Sequence, residues 1–467
     1  MSHVPVDFTR RQFGMTLAAV TSALPATAAP ADPAAPWSGP AVVRKVFVGV
    51  PNTTWPRPDL DFKQEMADIN GKLGELERNH PGLVRFTGGE WLKAPADVES
   101  WANSLNDTDA VLLLDLTSST SGIYAALDKV DIPKLLFTRP ITGWAFIDGA
   151  RWIQQGRKSD MVASSNFEDL APHLPMLRSM HHLRHSKVLI VREGASARAS
   201  AEGFTRQFGT AMAFPAYQDL KDAYNAVDLN KAREEAQEFT RNALKVVEPS
   251  AADLHNAARF YLAVKAVLKQ QQANAITIDC LGGFRRGDLP AYPCMAWTKL
   301  NDQGLYGVCE SDLLSTMTQL LITSYSGKPG FVSDPTFDTS RNEVIHAHCV
   351  AATCMKGIGG KPSPYIIRSH MEDNKGVSVQ VRMPLNEVIT CAKFSAPETL
   401  LVSAGEVTAN VDSPRGCRTK IVTKVADARK FVEGYTGGLH RVVFYGDYIP
   451  AVERMGRLMG FRVVKES

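Results

Sequence analysis

Acids and imidazoles sit near the ends of apolar runs in this chain. Val308-Cys-Glu-Ser-Asp312 carries Glu310 and Asp312, and Phe331-Val-Ser-Asp334 carries Asp334. Ile345-His-Ala-His348 adds two histidines, and Gly438-Leu-His440 a third. Such ends are where a folded chain brings distant side chains to one point. Carboxylates and imidazoles without a cysteine pair at ligand spacing suit a hard-to-borderline divalent ion such as Mn²⁺. A metal flanked by two carboxylates can hold two adjacent oxygens and move a proton between the carbons that bear them.

Each residue also has a plainer use. An acid before a helix is often a cap or a dipole partner. Asp312 fits that use well and is left structural, while Glu310 is kept as the first candidate acid. Asp334 precedes Pro335, a common turn start, yet it follows an apolar pair and is kept as the second acid. Asp338 and Glu343 have weaker claims. His346 and His348 are two apart, so on a strand they share a face. Both are ligands, or one is a ligand and the other a structural neighbour. A buried imidazole needs a hydrogen-bond partner or a metal. His440 follows Gly437-Gly438, where the backbone can approach a site closely. His370, in the polar loop Arg368-Ser-His370, is either a substrate contact or surface structure.

The elements around these residues read as α/β followed by β. Val42 to Val50, Ala110 to Leu116 and Pro133 to Thr138 are apolar strands, with helical spacing over Phe62 to His80 between the first two. This predicts a parallel layer over 41–160. A second parallel unit, 161–330, is read from a strand at Lys187 to Arg192, one at Ala275 to Asp279, and long helices over Asp222 to Val247 and Ala251 to Gln272. Phe167 to His185 reads as a helix broken early by Pro172 and Pro175. From about residue 331 to 467 the texture alternates, as in Val377 to Met383 and Glu387 to Phe394, which predicts an antiparallel barrel or sandwich completing the metal site. The fold class is therefore α/β: two Rossmann-like parallel-sheet domains, then a C-terminal antiparallel β-barrel-like domain.

Composition sets limits. The chain has 467 residues, 44% hydrophobic and 22% charged, with net charge +3. That is an ordinary globular balance, and the charge is too small to argue for nucleic acid or anionic membrane. Thr9-Arg10-Arg11-Gln12-Phe13, an apolar stretch to Leu24 and Ala26-Thr27-Ala28 together read as a twin-arginine signal peptide over 1–28. A Pro/Ala-rich tether over 29–40 follows. The expected location is periplasmic or secreted, with no membrane association after cleavage. Seven cysteines, an odd number, match neither a disulfide framework nor a zinc ribbon and are expected to be reduced core residues. There is no Walker motif and no Gly-x-Ser-x-Gly elbow.

From about Thr277 to Glu466 the sequence resembles the L-fucose isomerase/L-arabinose isomerase superfamily, and within it an exported, fucose isomerase-like branch. The resemblance rests on Asp279-Cys-Leu, Tyr292-Pro-Cys294, Leu300-Asn-Asp302, Val308-Cys-Glu-Ser-Asp312, Gly330-Phe-Val-Ser-Asp334, Ala347-His-Cys349, Arg368-Ser-His370 and Leu439-His-Arg-Val-Val-Phe-Tyr-Gly-Asp447. The first half matches only in its general α/β arrangement. The resemblance implies a Mn²⁺-type site in which Glu310 and Asp334 are the two acids and His348 and His440 the imidazole ligands. It implies aldose–ketose isomerisation of a monosaccharide through an enediol, with Glu310 and Asp334 as the proton-transfer groups, and a trimeric or hexameric assembly. Here the first acid sits in Cys-Glu-Ser-Asp rather than Glu-Gly-Asp or Glu-Ser-Asp-Gly, and the chain is shorter than classical members. A periplasmic sugar-binding protein and a catalytically degenerate isomerase fold are the competing readings.

Overall fold

Among the described residues two parallel sheets are followed by a small three-stranded sheet and an antiparallel barrel, and the candidate residues lie where the second parallel sheet meets the barrel. The computed structural model describes residues 39–195 and 197–467. The expected signal peptide and most of the tether lie outside the described residues.

The first sheet is parallel, with order β2-β1-β3-β4-β5: β1 (Ala41–Val48), β2 (Val84–Leu92), β3 (Ala110–Asp115), β4 (Lys134–Thr138) and β5 (Ser159–Ala163). The buried β3 and β4 are covered on both faces, which explains their unbroken apolar runs. The helix Phe62–Asn79 turns Ile69, Leu73 and Leu76 onto this layer, and Asp61 caps it by accepting from the Gln64 amide. Because β5 pairs with β4, the first sheet extends slightly past residue 160.

The second sheet is also parallel, with order β10-β9-β6-β7: β6 (Lys187–Val191), β7 (Ala211–Ala213), β9 (Ala275–Ile278) and β10 (Tyr306–Cys309). The single long helix expected over Asp222 to Val247 is instead two, Tyr217–Ala226 and Leu229–Arg241. Asp228 takes an extended conformation between them and accepts from the Asn230 and Lys231 amides. A helical periodicity that runs through a good cap hides the break. Pro172 and Pro175 act as expected: a 3₁₀ segment over Phe167–His173 precedes the helix Leu174–Arg184.

The two-residue β8 (Lys245–Val246) leaves this unit to pair with β13 (Tyr365–Arg368), which also pairs with β14 (Ser378–Val381). The remaining strands form a closed antiparallel barrel. Around it run β15 (Glu387–Ala396), β18 (Arg441–Tyr445), β11 (Phe331–Asp338), β12 (Glu343–His348), β17 (Thr419–Val425) and β16 (Thr399–Asn410), and β15 pairs with β16 to close it. β19 (Arg462–Lys465) adds in parallel to β16. Closure removes the exposed edges of a six-stranded sheet. The barrel joins the second unit through an aromatic cluster of Phe204, Phe208, Phe394 and Phe461 with centroids 5.4–6.0 Å apart. All seven cysteines are free thiols, and all but Cys417 are fully buried. Among the described residues no helix is long and apolar enough to cross a membrane.

Candidate metal centre

Glu310 enters from the second sheet. It follows β10, and both it and Ser311 adopt left-handed backbone, with φ of 62° and 54°. This conformation is uncommon for non-glycine residues and is stabilised only by its surroundings. Here the Ser311 amide donates to Ile278 O at 2.9 Å and the Asp312 amide to Cys309 O at 3.2 Å, so the turn is pinned across the sheet. The helix Leu313–Ser326 starts at once, with Asp312 as its cap.

The other residues enter from the barrel, and strand register explains why they meet. Ser333 of β11 pairs with Arg441 of β18, so the next residues, Asp334 and His440, are cross-strand neighbours. Asp334 also pairs with Ala347 of β12, which places His348 one residue further along. Gly437 lets the chain reach β18. Its φ is 76°, and a Cβ there would come within 2.8 Å of Ser395 Cβ. Buried Arg441 then locks the turn by donating to Thr436 O at 2.7 Å and His440 O at 2.9 Å, while Glu466 balances its charge.

Glu310, His348 and His440 each offer a ligand atom, all within 4.8 Å of one another. Glu310 Oε1 is 3.7 Å from His348 Nε2, and its Oε2 is 3.5 Å from His440 Nε2. Asp334 joins through His440, with Oδ1 3.3 Å from Nε2. Asp334 Oδ1, His348 Nε2 and His440 Nε2 are all buried without a hydrogen-bond partner. Buried polar atoms are normally satisfied. Three orphans converging beside a carboxylate are what a divalent cation would complete, and the mixed O/N donor set fits one.

Asp312 supports this cluster from behind. Its Oδ2 lies 2.8 Å from His440 Nδ1, and the same carboxylate accepts from the Ser315 amide at 3.0 Å. Lys393, almost wholly buried on β15, donates to Asp312 and to Ser315 Oγ. The carboxylate thus fixes the ring so that Nε2 faces Glu310 and Asp334, an arrangement that sharpens metal ligands generally. His348 is held differently. The Cys349 amide donates to its Nδ1 at 3.0 Å, so the neutral ring carries its proton on Nε2. A cation at Nε2 requires that proton to pass to Nδ1 and the amide contact to loosen.

Electrostatics agree with a cation site. Burial by itself would push His440 down, but contacts with Asp312, Asp334 and Glu310 push it up to about 11. Glu310 is held below the carboxylate range chiefly by its contact with His440. Asp334 is also held low: burial opposes ionisation, but His440 and His348 outweigh it. Asp312 is lowered further still, with His440 and Lys393 overcoming its burial. In this state the His440 imidazolium occupies the role of the cation. Three carboxylates then face Lys393 and one imidazolium, leaving one negative charge. A dication replacing the imidazolium proton brings the local charge to zero.

His346 does not join the centre. Ser333 Oγ lies 3.0 Å from its Nδ1 and Thr423 Oγ1 3.1 Å from its Nε2, so it is a satisfied core histidine. Asp338 and Glu343 lie at the far end of the β11–β12 pairing from Asp334. His370 is buried and stacks on Tyr292 at 4.9 Å, which stacks on Phe284 at 3.7 Å. Its Nδ1 has no hydrogen-bond partner. Burial lowers its pKa against the opposing charge of Glu372, and its Nδ1 lies 3.6 Å from Asp373 Oδ1. From its neighbours in sequence Asp312 reads as a cap only, and Lys393 does not stand out. The available signal for Lys393 was a lone lysine inside the apolar alternation Cys391 to Phe394, which requires a buried anion.

No family model matches the chain. It is similar to the sulfoquinovose isomerase of Clostridium sp. (strain MSTE9), with 25% identity over 279 residues, 54% of this chain and 61% of the relative. The chain therefore spans about six-tenths of the length of the curated relative it matches.

Proposed function

We propose that the chain is an exported, metal-dependent aldose–ketose isomerase acting on a monosaccharide. The observation that carries this reading is the meeting of Glu310, Asp334, His348 and His440, with three buried ligand atoms left without partners. The similarity to a protein named as a sugar isomerase supports it independently.

Glu310, Asp334, His348 and His440 would hold the ion, Mn²⁺ by the balance of oxygen and nitrogen donors. When bound, it supplies Lewis-acid stabilisation of negative charge on two adjacent sugar oxygens. The chain supplies the rest. Glu310 and Asp334 are both held in the ionised form, so either can accept a proton from a carbon beside a carbonyl. Returning that proton to the neighbouring carbon, with the hydroxyl proton passing from one of the two sugar oxygens to the other, completes an enediol-type isomerisation. Asp312 keeps His440 aimed at the two acids throughout. His370, with a buried Nδ1 in need of a partner, is placed to bind a sugar hydroxyl, and Tyr292 backs its ring. Assembly into trimers or hexamers belongs to the same proposal and is read by light scattering.

The test is an aldose/ketose panel with Mn²⁺ that includes L-fucose, L-arabinose and sulfoquinovose, followed by interconversion. Turnover lost in EDTA and restored by Mn²⁺ is the expected result. Tight Mn²⁺ and sugar binding with no turnover across the panel would move the chain to the degenerate, sugar-binding reading.

A further inference from the structure

A second group of ligands lies far along the chain from this centre, beside the first parallel sheet. Asp109 directly precedes β3, His181 lies on the last turn of the helix Leu174–Arg184, and His185 caps that helix. The histidines are four apart and so share a helix face. Their rings are 4.2 Å apart, centre to centre. Asp109 Oδ2 is 2.8 Å from His181 Nδ1, and all three residues offer ligand atoms within 4.8 Å of one another.

We infer that Asp109, His181 and His185 form a second, independent cation site that takes a borderline dication of the Zn²⁺ type. Two imidazoles and one carboxylate suit Zn²⁺, Ni²⁺ or Cu²⁺ rather than the harder ions. On His181 it is Nδ1 that faces the Asp109 carboxylate. The 2.8 Å contact between Nδ1 and Oδ2 is a hydrogen bond, and an ion would take the place of its proton, with the two atoms opening to the separation of about 3.4 Å that tetrahedral bonds of about 2.0–2.2 Å set. The carboxylate is already positioned. The Val42 amide donates to Oδ2 at 2.8 Å, and Arg184 lies 3.5 Å from Oδ1. Arg184 also donates to Thr108 O at 2.9 Å, which holds its charge beside the oxygen the ion does not use. The ion would stand at the C-terminal end of a helix, where the peptide dipole favours positive charge.

The ion would act as a staple. Asp109 is tied to β1 through Val42 and leads into β3, whereas the histidines belong to a helix outside that sheet. Two segments remote in sequence would share one ion, with β1 tied to it through Val42, and binding would stabilise the folded state by mass action.

The full chain is dialysed against Zn²⁺, and bound metal is counted in wild type, His185→Ala and Glu310→Gln. His185 is exposed, so its loss leaves the fold intact. Diethyl pyrocarbonate modification of His185, mapped by peptide mass spectrometry with and without Zn²⁺, locates the ion. The expected result is at least tenfold protection of His185 by Zn²⁺ in both wild type and Glu310→Gln. His185→Ala should bind one Zn²⁺ fewer than wild type and lose part of the Zn²⁺-induced rise in melting temperature. Equal modification of His185 with and without Zn²⁺, or unchanged Zn²⁺ content in His185→Ala, overturns the site. Neither readout depends on sugar turnover.

Discussion

Replacing Asp312 by Asn tests how the centre is built. Asn caps a helix about as well as Asp, so the start of the helix Leu313–Ser326 should survive. What disappears is the negative charge shared by Lys393 and His440. The Lys393 side chain is 2% exposed and that of Asp312 12%, so this is a buried pair with little solvent screening. Removing one partner of a buried pair costs about 3–5 kcal/mol because the other charge is left uncompensated. The His440 ring also loses the carboxylate that orients it at 2.8 Å. Loss of such a support lowers metal affinity by about 10–100-fold. Denaturant unfolding of metal-free protein measures the first effect, and Mn²⁺ titration calorimetry the second. Adding Lys393→Met to Asp312→Asn separates them. Stability should largely return, because no unpaired buried charge remains, while Mn²⁺ affinity should stay low. If Asp312→Asn unfolds at the wild-type denaturant concentration, or the double variant regains full Mn²⁺ affinity, the argument for Asp312 as the support of His440 is refuted.

Metal binding should depend on pH in a definite direction. His440 stands at about 11 in the folded state, above its ordinary 6.5, so the stability it lends metal-free protein is full below about pH 6.5 and fades as pH climbs toward 11. Since that proton must leave for the ion, Mn²⁺ affinity should rise about tenfold per pH unit between about pH 7 and 9, and a flat profile by calorimetry would remove His440 from the ligand set. Glu310→Gln should lower turnover by about 10²–10⁴-fold while sugar still binds, measured by steady-state kinetics and equilibrium dialysis. His370→Ala should spare bound Mn²⁺ and raise KM more than it lowers kcat; loss of Mn²⁺ on metal analysis would instead make it a ligand. If export follows the twin-arginine route, Arg10→Lys with Arg11→Lys should leave the precursor in the cytoplasm, as read by cell fractionation.

The one-dimensional pattern carried the layers of this protein. Apolar runs such as Ala110 to Asp115 read as strands covered on both faces, and so they are; alternation over Glu387 to Phe394 marks a strand, although Ile389 to Phe394 are buried throughout in the barrel. The chemistry of Glu310, Asp334, His348 and His440 was legible because acids and imidazoles beside apolar runs are costly unless they are used. What the sequence left open, the tertiary structure decided. His346 and His348 are equivalent in spacing, yet Ser333 and Thr423 satisfy the first, while the second ends its strand at the centre. Barrel closure and the Ser333–Arg441 register put His440 beside Asp334 across more than a hundred residues, a relation no local period encodes. Asp312 likewise looks like a cap from its neighbours alone. Its contacts with Lys393 and His440 come from β15 and from the turn before β18, so its second role exists only once the barrel has closed against the parallel sheet. Periodicity records which face of an element is buried, but partners across a core are fixed by packing, and that is where the support of this centre is determined.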